Sequence, residues 1–160
     1  MIEKKVLFVC LGNICRSPAA EAVMSGKLVK AGKEKQIICD SAGILGYHSG
    51  EKADVRMRKH ARQRGYNVTS ISRQVKSGSD FDHFDMIIGM DEQNIKDLNL
   101  LARSSADLKK IFRMTDFSTQ SSYDHIPDPY YGGSEGFELV LDLLEDACDG
   151  LLEYLRNKEN

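Results

Sequence analysis

The sequence predicts an α/β fold with a parallel sheet. Short runs of β-branched and apolar residues alternate with segments of helical periodicity along the whole chain. The first apolar run, Val6 to Val9, is continuous rather than alternating, as a buried strand requires. No internal repeat, linker or low-complexity segment interrupts the pattern, and 160 residues suit a single domain with a real core.

Each element has its own signal. After the first strand comes a loop from Cys10 to Arg16, where Ser17 reads as a helix N-cap and Pro18 as the first helical position. Ala20, Val23, Met24, Leu28 and Ala31 then recur at helical spacing, and Gly32 stops the helix. Gln36 to Asp40 is a second strand, followed by a glycine-rich loop from Ser41 to Gly50. A helix from about Ala53 to Arg64 ends at Gly65. Its Arg56, Arg58, Lys59, Arg62 and Arg64 read as a solvated basic surface. Residues 70–84 are polar and read as a solvated loop; Asp80, Asp82 and Asp85 lack the glycine and terminal glutamate of a calcium loop. Asp85 to Gly89 is a third strand, and Asp91 caps the helix packed through Ile95, Leu98 and Leu101. Lys109 to Phe112 is a fourth strand. A long loop from Thr115 to Gly133 leads to a last helix capped by Ser134, with Phe137, Val140, Leu141, Leu144, Cys148, Leu151 and Leu155 in one apolar stripe.

Composition narrows the function. Hydrophobic content of 41% and charged content of 29% are those of an ordinary soluble globule, and a net charge of -2 offers no attraction to nucleic acid or membrane. The N-terminal apolar run is too short for a signal peptide or a membrane span, so a cytoplasmic, reducing location is expected. Cys10, Cys15, Cys39 and Cys148 form no C-x-x-C pair and no zinc spacing with His48, His60, His83 or His125, so neither metal nor cofactor is implied. Cys39 and Cys148 read as small core residues.

The chemistry gathers in the first loop. Five residues, none of them proline, separate Cys10 from Arg16, so every backbone N–H from Leu11 to Arg16 can turn inward. Such a curl before a helix is an anion site, and Gly12 and Asn13 best tolerate the left-handed backbone it needs. A thiol aimed at the bound anion makes it a reaction site: the N–H groups, the helix dipole and Arg16 favour the thiolate, and Arg16 can grip two phosphoryl oxygens in its planar fork. A phosphate ester also needs its leaving oxygen protonated. Asp128, bracketed by Pro127 and Pro129, is held in extended backbone on the long loop and is a candidate acid, with a turn-forming aspartate the equal alternative.

The stretch Val-Leu-Phe-Val-Cys-Leu-Gly-Asn-Ile-Cys-Arg-Ser-Pro resembles the signature loop of the low-molecular-weight protein tyrosine phosphatases. The resemblance continues in Asp40-Ser41-Ala42-Gly43, Arg73-Gln74, Phe84-Asp85, Met90-Asp91-Glu92 and Asp128-Pro129-Tyr130-Tyr131-Gly132. It implies four parallel strands in the order 2-1-3-4 with helices on both faces, which puts the Cys10 loop at the topological switch point. It also implies Cys10 as nucleophile, Arg16 as phosphate clamp, Asp128 as acid and then base, Ser17 as hydrogen-bond donor to the thiolate, and Asn13, braced by Ser41, as keeper of the loop. Leu11, Ile14, Tyr47, Tyr130 and Tyr131, with His48 beside them, would wall a cleft for an aromatic ring. The implied partners are a phosphotyrosine protein or peptide as substrate and inorganic phosphate as product. Ser70 stands where many relatives carry a histidine in the Asn–Ser network.

Three rivals follow from the same loop. An arsenate reductase needs two further cysteines after the third strand, and residues 81–101 have none. A protein arginine phosphatase carries threonine where Ile14 stands. A phosphopeptide-binding module would need neither thiol nor acid. Cys15, five residues from Cys10, is a candidate redox partner once the loop curls.

Overall fold

The computed structural model describes residues 3–158. Strand β1 (Lys4–Cys10) runs into α1 (Arg16–Lys30), followed by β2 (Ile37–Gly43), α2 (Val55–Gln63) and α3 (Ser77–His83). Then come β3 (Met86–Gly89), α4 (Glu92–Leu101), the short α5 (Ser105–Leu108), β4 (Ile111–Arg113), a 3-10 turn at Met114–Phe117 and the long α6 (Ser134–Lys158). The four strands form a parallel sheet in the order β2-β1-β3-β4, as expected. Among the described residues, no helix is long and apolar enough to cross a membrane.

The central strand explains its own composition. β1 pairs with β2 from Lys4↔Ile37 to Cys10↔Gly43 and with β3 from Val6↔Met86 to Val9↔Gly89, so both its edges and both its faces are covered. Val6 and Phe8 point into the core shared with α1, α2 and α6, whereas Leu7 and Val9 face Phe81 of α3 and Leu98 of α4. The apolar stripe of α6 is buried along its whole length, Phe137 through Leu155. At Gly150 an added Cβ would lie 1.7 Å from the Phe117 carbonyl oxygen, so the 3-10 turn rests directly on the helix backbone.

Three expectations need correction. Residues 70–84 are not simply a solvated loop: residues 77–83 are helical, and Asp80 is 5% exposed because it receives the Arg73 guanidinium and the Lys76 N–H. Ser41 belongs to β2 rather than to the loop after it, since β2 continues to Gly43 beside Cys10. Ser17 is not the cap of α1. The helix starts two residues earlier, Cys15 occupies the cap position without a side-chain bond, and Pro18 falls in the third position.

Candidate active site

β1 delivers Cys10 to the carboxyl edge of the sheet, and the next five residues curl back to the start of α1. Asn13 makes the turn at φ 57°, the one described non-glycine residue in left-handed backbone. That conformation costs about 1–2 kcal/mol for an L-residue, and Asn meets it with bonds from its own side chain. Its Nδ2 donates to Ser17 Oγ at 2.8 Å, and its Oδ1 accepts the Arg73 N–H at 3.0 Å. Ser72 Oγ donates to the Gly12 carbonyl at 3.0 Å. Arg73 is itself pinned by Asp80 at 3.0 and 3.1 Å and by Asp40 at 3.2 Å. Gly43 lets the strand pass under the loop, because a Cβ there would meet Gly12 C and Asn13 N at 3.0 Å.

These contacts explain why Ser17 does not cap the helix. Its hydroxyl accepts from Asn13 and has one proton to give, with Cys10 Sγ at 3.0 Å and the Ala42 carbonyl at 3.4 Å. The nearer sulfur is the better placed acceptor. Among the described residues, the backbone N–H groups from Leu11 to Arg16 donate to no backbone carbonyl, so they are available to an oxyanion beside the sulfur. Ser41 does not brace Asn13. Its position in β2 directs the hydroxyl to Glu21 Oε1 of α1 at 2.7 Å, and Ser70 bonds the same carboxylate.

Arg16 is 3% exposed and still carries its charge. Burial opposes ionisation, but Cys10, Asp91 and Asp128 around it outweigh that cost and raise its pKa. Nη1 donates to Asp91 Oδ2 at 2.6 Å and to the Ile126 carbonyl at 3.0 Å, which fixes the fork in its plane. Nη2 lies 3.7 Å from Asp128 Oδ2. The sequence marked Asp91 only as a helix cap. It is that, accepting the Asn94 N–H through Oδ1 at 2.8 Å, but its other oxygen aligns the arginine. The Met-Asp-Glu signal was visible; a carboxylate's two-sided use was not.

Asp128 comes from the other end of the chain, on the loop before α6. Its Oδ1 accepts the Tyr130 N–H at 3.1 Å in a tight turn, and its side chain is 42% exposed above Cys10 and Arg16. Arg56 secures this loop: two bonds to Asp54 hold the guanidinium, which donates to the Tyr130 carbonyl at 2.9 Å. Cys10, Leu11, Gly12, Ile14, Cys15 and Arg16 line a cleft of about 110 Å³, and Asp128, His48, Tyr130 and Tyr131 complete its wall. Tyr47 does not line it. Its ring is 85% exposed and stands edge-on against His48, so the histidine takes the place expected for the tyrosine. Glu51 holds His48 Nδ1 at 2.9 Å.

Cys15 is buried with its thiol facing the same loop, and burial, with Asp54 and Cys10 adding to it, pushes its pKa well above the usual thiol range. Among the described residues no group of three or more His, Cys, Asp or Glu is placed to hold a metal.

Known proteins resemble this chain over nearly its whole length. Residues 5–160 match the model for the low molecular weight phosphotyrosine protein phosphatases. A relative from Synechocystis is 47% identical over 153 residues, covering 94% of this chain and 96% of its own. A crystal structure of a protein tyrosine phosphatase from Entamoeba histolytica superposes with a TM-score of 0.94 at 50% identity, covering 99% of this chain and 100% of that one. A Drosophila arginine phosphatase superposes with a TM-score of 0.87 at 30% identity, over 94% and 97% of the two chains. With a family model matched over residues 5–160 and relatives similar over nearly the whole chain, the chain belongs to the low molecular weight phosphotyrosine protein phosphatase family.

Proposed function

We propose that this chain hydrolyses phosphotyrosine in proteins and small aryl phosphates through a phosphocysteine intermediate. The observation that carries the reading is convergence: Cys10, Arg16 and Asp128 meet in one cleft whose floor presents free N–H groups.

The phosphoryl group would sit in the curl with its oxygens on the loop N–H groups and on the Arg16 fork. Ser17 donates to Cys10 Sγ and favours the thiolate. The thiolate attacks phosphorus, the P–O(ester) bond breaks, and Asp128 gives its proton to the departing phenolate oxygen. In the second step Asp128, now a carboxylate, takes a proton from water as that water attacks phosphorus. The P–S bond breaks, and inorganic phosphate and thiolate are restored. The N–H groups and Arg16 offset the charge on the equatorial oxygens in both steps.

His48, Tyr130 and Tyr131 flank the cleft, which suits an aromatic ring. The likeness to an arginine phosphatase keeps phosphoarginine as a second reading, against which Ile14 stands in the wall. The reaction fits a cytoplasmic enzyme with reduced thiols. Peroxide would take Cys10 to a sulfenic acid, and attack by Cys15 would close a disulfide with loss of water, reopened by a thiol reductant.

A peptide panel tests the substrate. Phosphotyrosine peptides are expected to turn over well and phosphoserine peptides not at all; comparable kcat/KM for both would refute the reading, and preference for phosphoarginine would install the second. Cys10→Ser should bind phosphate without turnover, and a variant retaining a few per cent of the rate would remove the cysteine mechanism.

A further inference from the structure

The basic face of α2 divides in two. Arg56 turns to Asp54 and the Tyr130 carbonyl, and Arg64 turns to Glu138, Asp142 and Glu145 of α6. Arg16, Arg73, Arg103 and Arg113 likewise each have a carboxylate within 4 Å. Arg58 and Arg62 do not. Among the described residues neither they nor Lys52 has an acidic partner, and all three line one pocket of about 300 Å³ between α2 and residues 66–71.

The pocket is held in shape. Arg58 Nε donates to the Ala53 carbonyl at 2.9 Å, which orients the guanidinium and leaves its terminal nitrogens unspent. Lys52 is placed by an antiparallel bridge between its backbone and Ile71. Tyr66 is fixed through its hydroxyl, which donates to Glu145 Oε2 at 2.8 Å, and its ring forms one wall. Thr69 adds a hydroxyl and Val68 an apolar patch, while the Ser70 hydroxyl is engaged by Glu21. Three positive charges face one cavity that no carboxylate lines, on a chain whose net charge is -2. Like charges held together without a counter-ion repel, and a cleft of one sign concentrates anions. A solvated helix face would account for Arg62 alone. It does not account for Lys52, which comes from another segment to meet it.

We infer that this pocket is a second oxyanion site, separate from the Cys10 cleft, that takes the phosphoryl group of a small molecule. A phosphoryl dianion has enough oxygens to be shared between two guanidinium forks and an ammonium, whereas one carboxylate would leave a cation unmatched. The free phosphate ion and the phosphoryl end of an organic molecule share this chemistry. Tyr66 and Val68 favour the organic source by offering its body an apolar wall.

The test is a backbone-amide NMR titration with inorganic phosphate and, separately, with phenylphosphonate, which cannot be hydrolysed. Both ligands should move the amides of residues 67–71 along a saturating curve of its own, apart from the shifts of residues 11–16. In the exposed pair Lys52→Gln/Arg62→Gln that curve should weaken by about tenfold or more, since two charge-assisted contacts are lost. The loop shifts and the aryl phosphatase rate should stay unchanged. Arg58→Gln gives an independent check, with a matched urea midpoint confirming its fold. Tighter binding of the phosphonate would identify an organic ligand, and equal binding the free ion; each outcome supports the site. No movement at residues 67–71 at concentrations that saturate the loop, or movement that survives Lys52→Gln/Arg62→Gln, would overturn it.

Discussion

Replacing Asn13 separates backbone strain from hydrogen bonding in the catalytic loop. Asn13→Ala and Asn13→Gly both remove the bond to Ser17 and the acceptor for the Arg73 N–H. An unsatisfied buried N–H costs about 1–3 kcal/mol. Alanine alone also keeps a Cβ in left-handed backbone, at about 1–2 kcal/mol more. Glycine gives back about 0.5–1 kcal/mol of that advantage through its freer unfolded chain. The alanine variant should therefore be the less stable by roughly 1 kcal/mol, and both should fall below the parent. If the loop alone relaxes, the loss appears in activity, where about 1.4 kcal/mol is a factor of ten. Urea unfolding and kcat/KM on nitrophenyl phosphate measure the two. An alanine variant as stable and active as the glycine variant would refute strain relief, and two variants indistinguishable from the parent would refute the anchoring.

The remaining tests address other parts of the molecule. Asp128→Asn should cost about 10²–10⁴-fold on phenyl phosphate and far less on nitrophenyl phosphate, where the leaving group needs no acid; equal losses with chemistry rate-limiting would remove Asp128 from that role. Arg56→Lys cannot hold Asp54 and the Tyr130 carbonyl at once, and a roughly tenfold loss on poor leaving groups is expected from a misplaced acid loop; an unchanged rate would show that the loop needs no clamp. Because burial raises the Cys15 thiol, its attack on oxidised Cys10 should accelerate as pH rises, and Cys15→Ser should recover poorly after peroxide and dithiothreitol; equal recovery would mean that Cys15 protects nothing. Gly150→Ala drives a methyl into the Phe117 carbonyl and should lower stability by about 1–3 kcal/mol or more, read from the urea midpoint.

The sequence carried the sheet because buried strands and amphipathic helices write their periods directly into residue order. It carried the loop because a thiol, a guanidinium and a proline-free curl lie within eight consecutive residues. What it concealed are uses that depend on distant neighbours. Nothing local distinguishes Asp80 from Asp82, yet one is buried against Arg73 and the other lies at the surface. Ser17 has the chemistry of a cap, and only the arrival of Asn13 and Cys10 at its hydroxyl diverts it. The edge-on packing of Tyr47 against His48 likewise follows from how the loop lies, which composition does not encode.

The bracing of the curl has a consequence for how the protein comes into being. Cys10 and Arg16 belong to the first tenth of the chain, but the bonds that shape their loop come from Ser72 and Arg73, 60 residues on, and the carbonyl that fixes the arginine comes from Ile126, 110 residues on. Contacts of such separation close late in folding, since chain entropy is spent before they form. During synthesis the thiol emerges early and waits: the segment carrying Asp80 must follow before the curl is locked, and the segment carrying Asp128 before an acid faces it. A nascent or truncated chain therefore holds the thiol without its surroundings, and the proposed chemistry becomes available only once the segment carrying Asp128 has joined it.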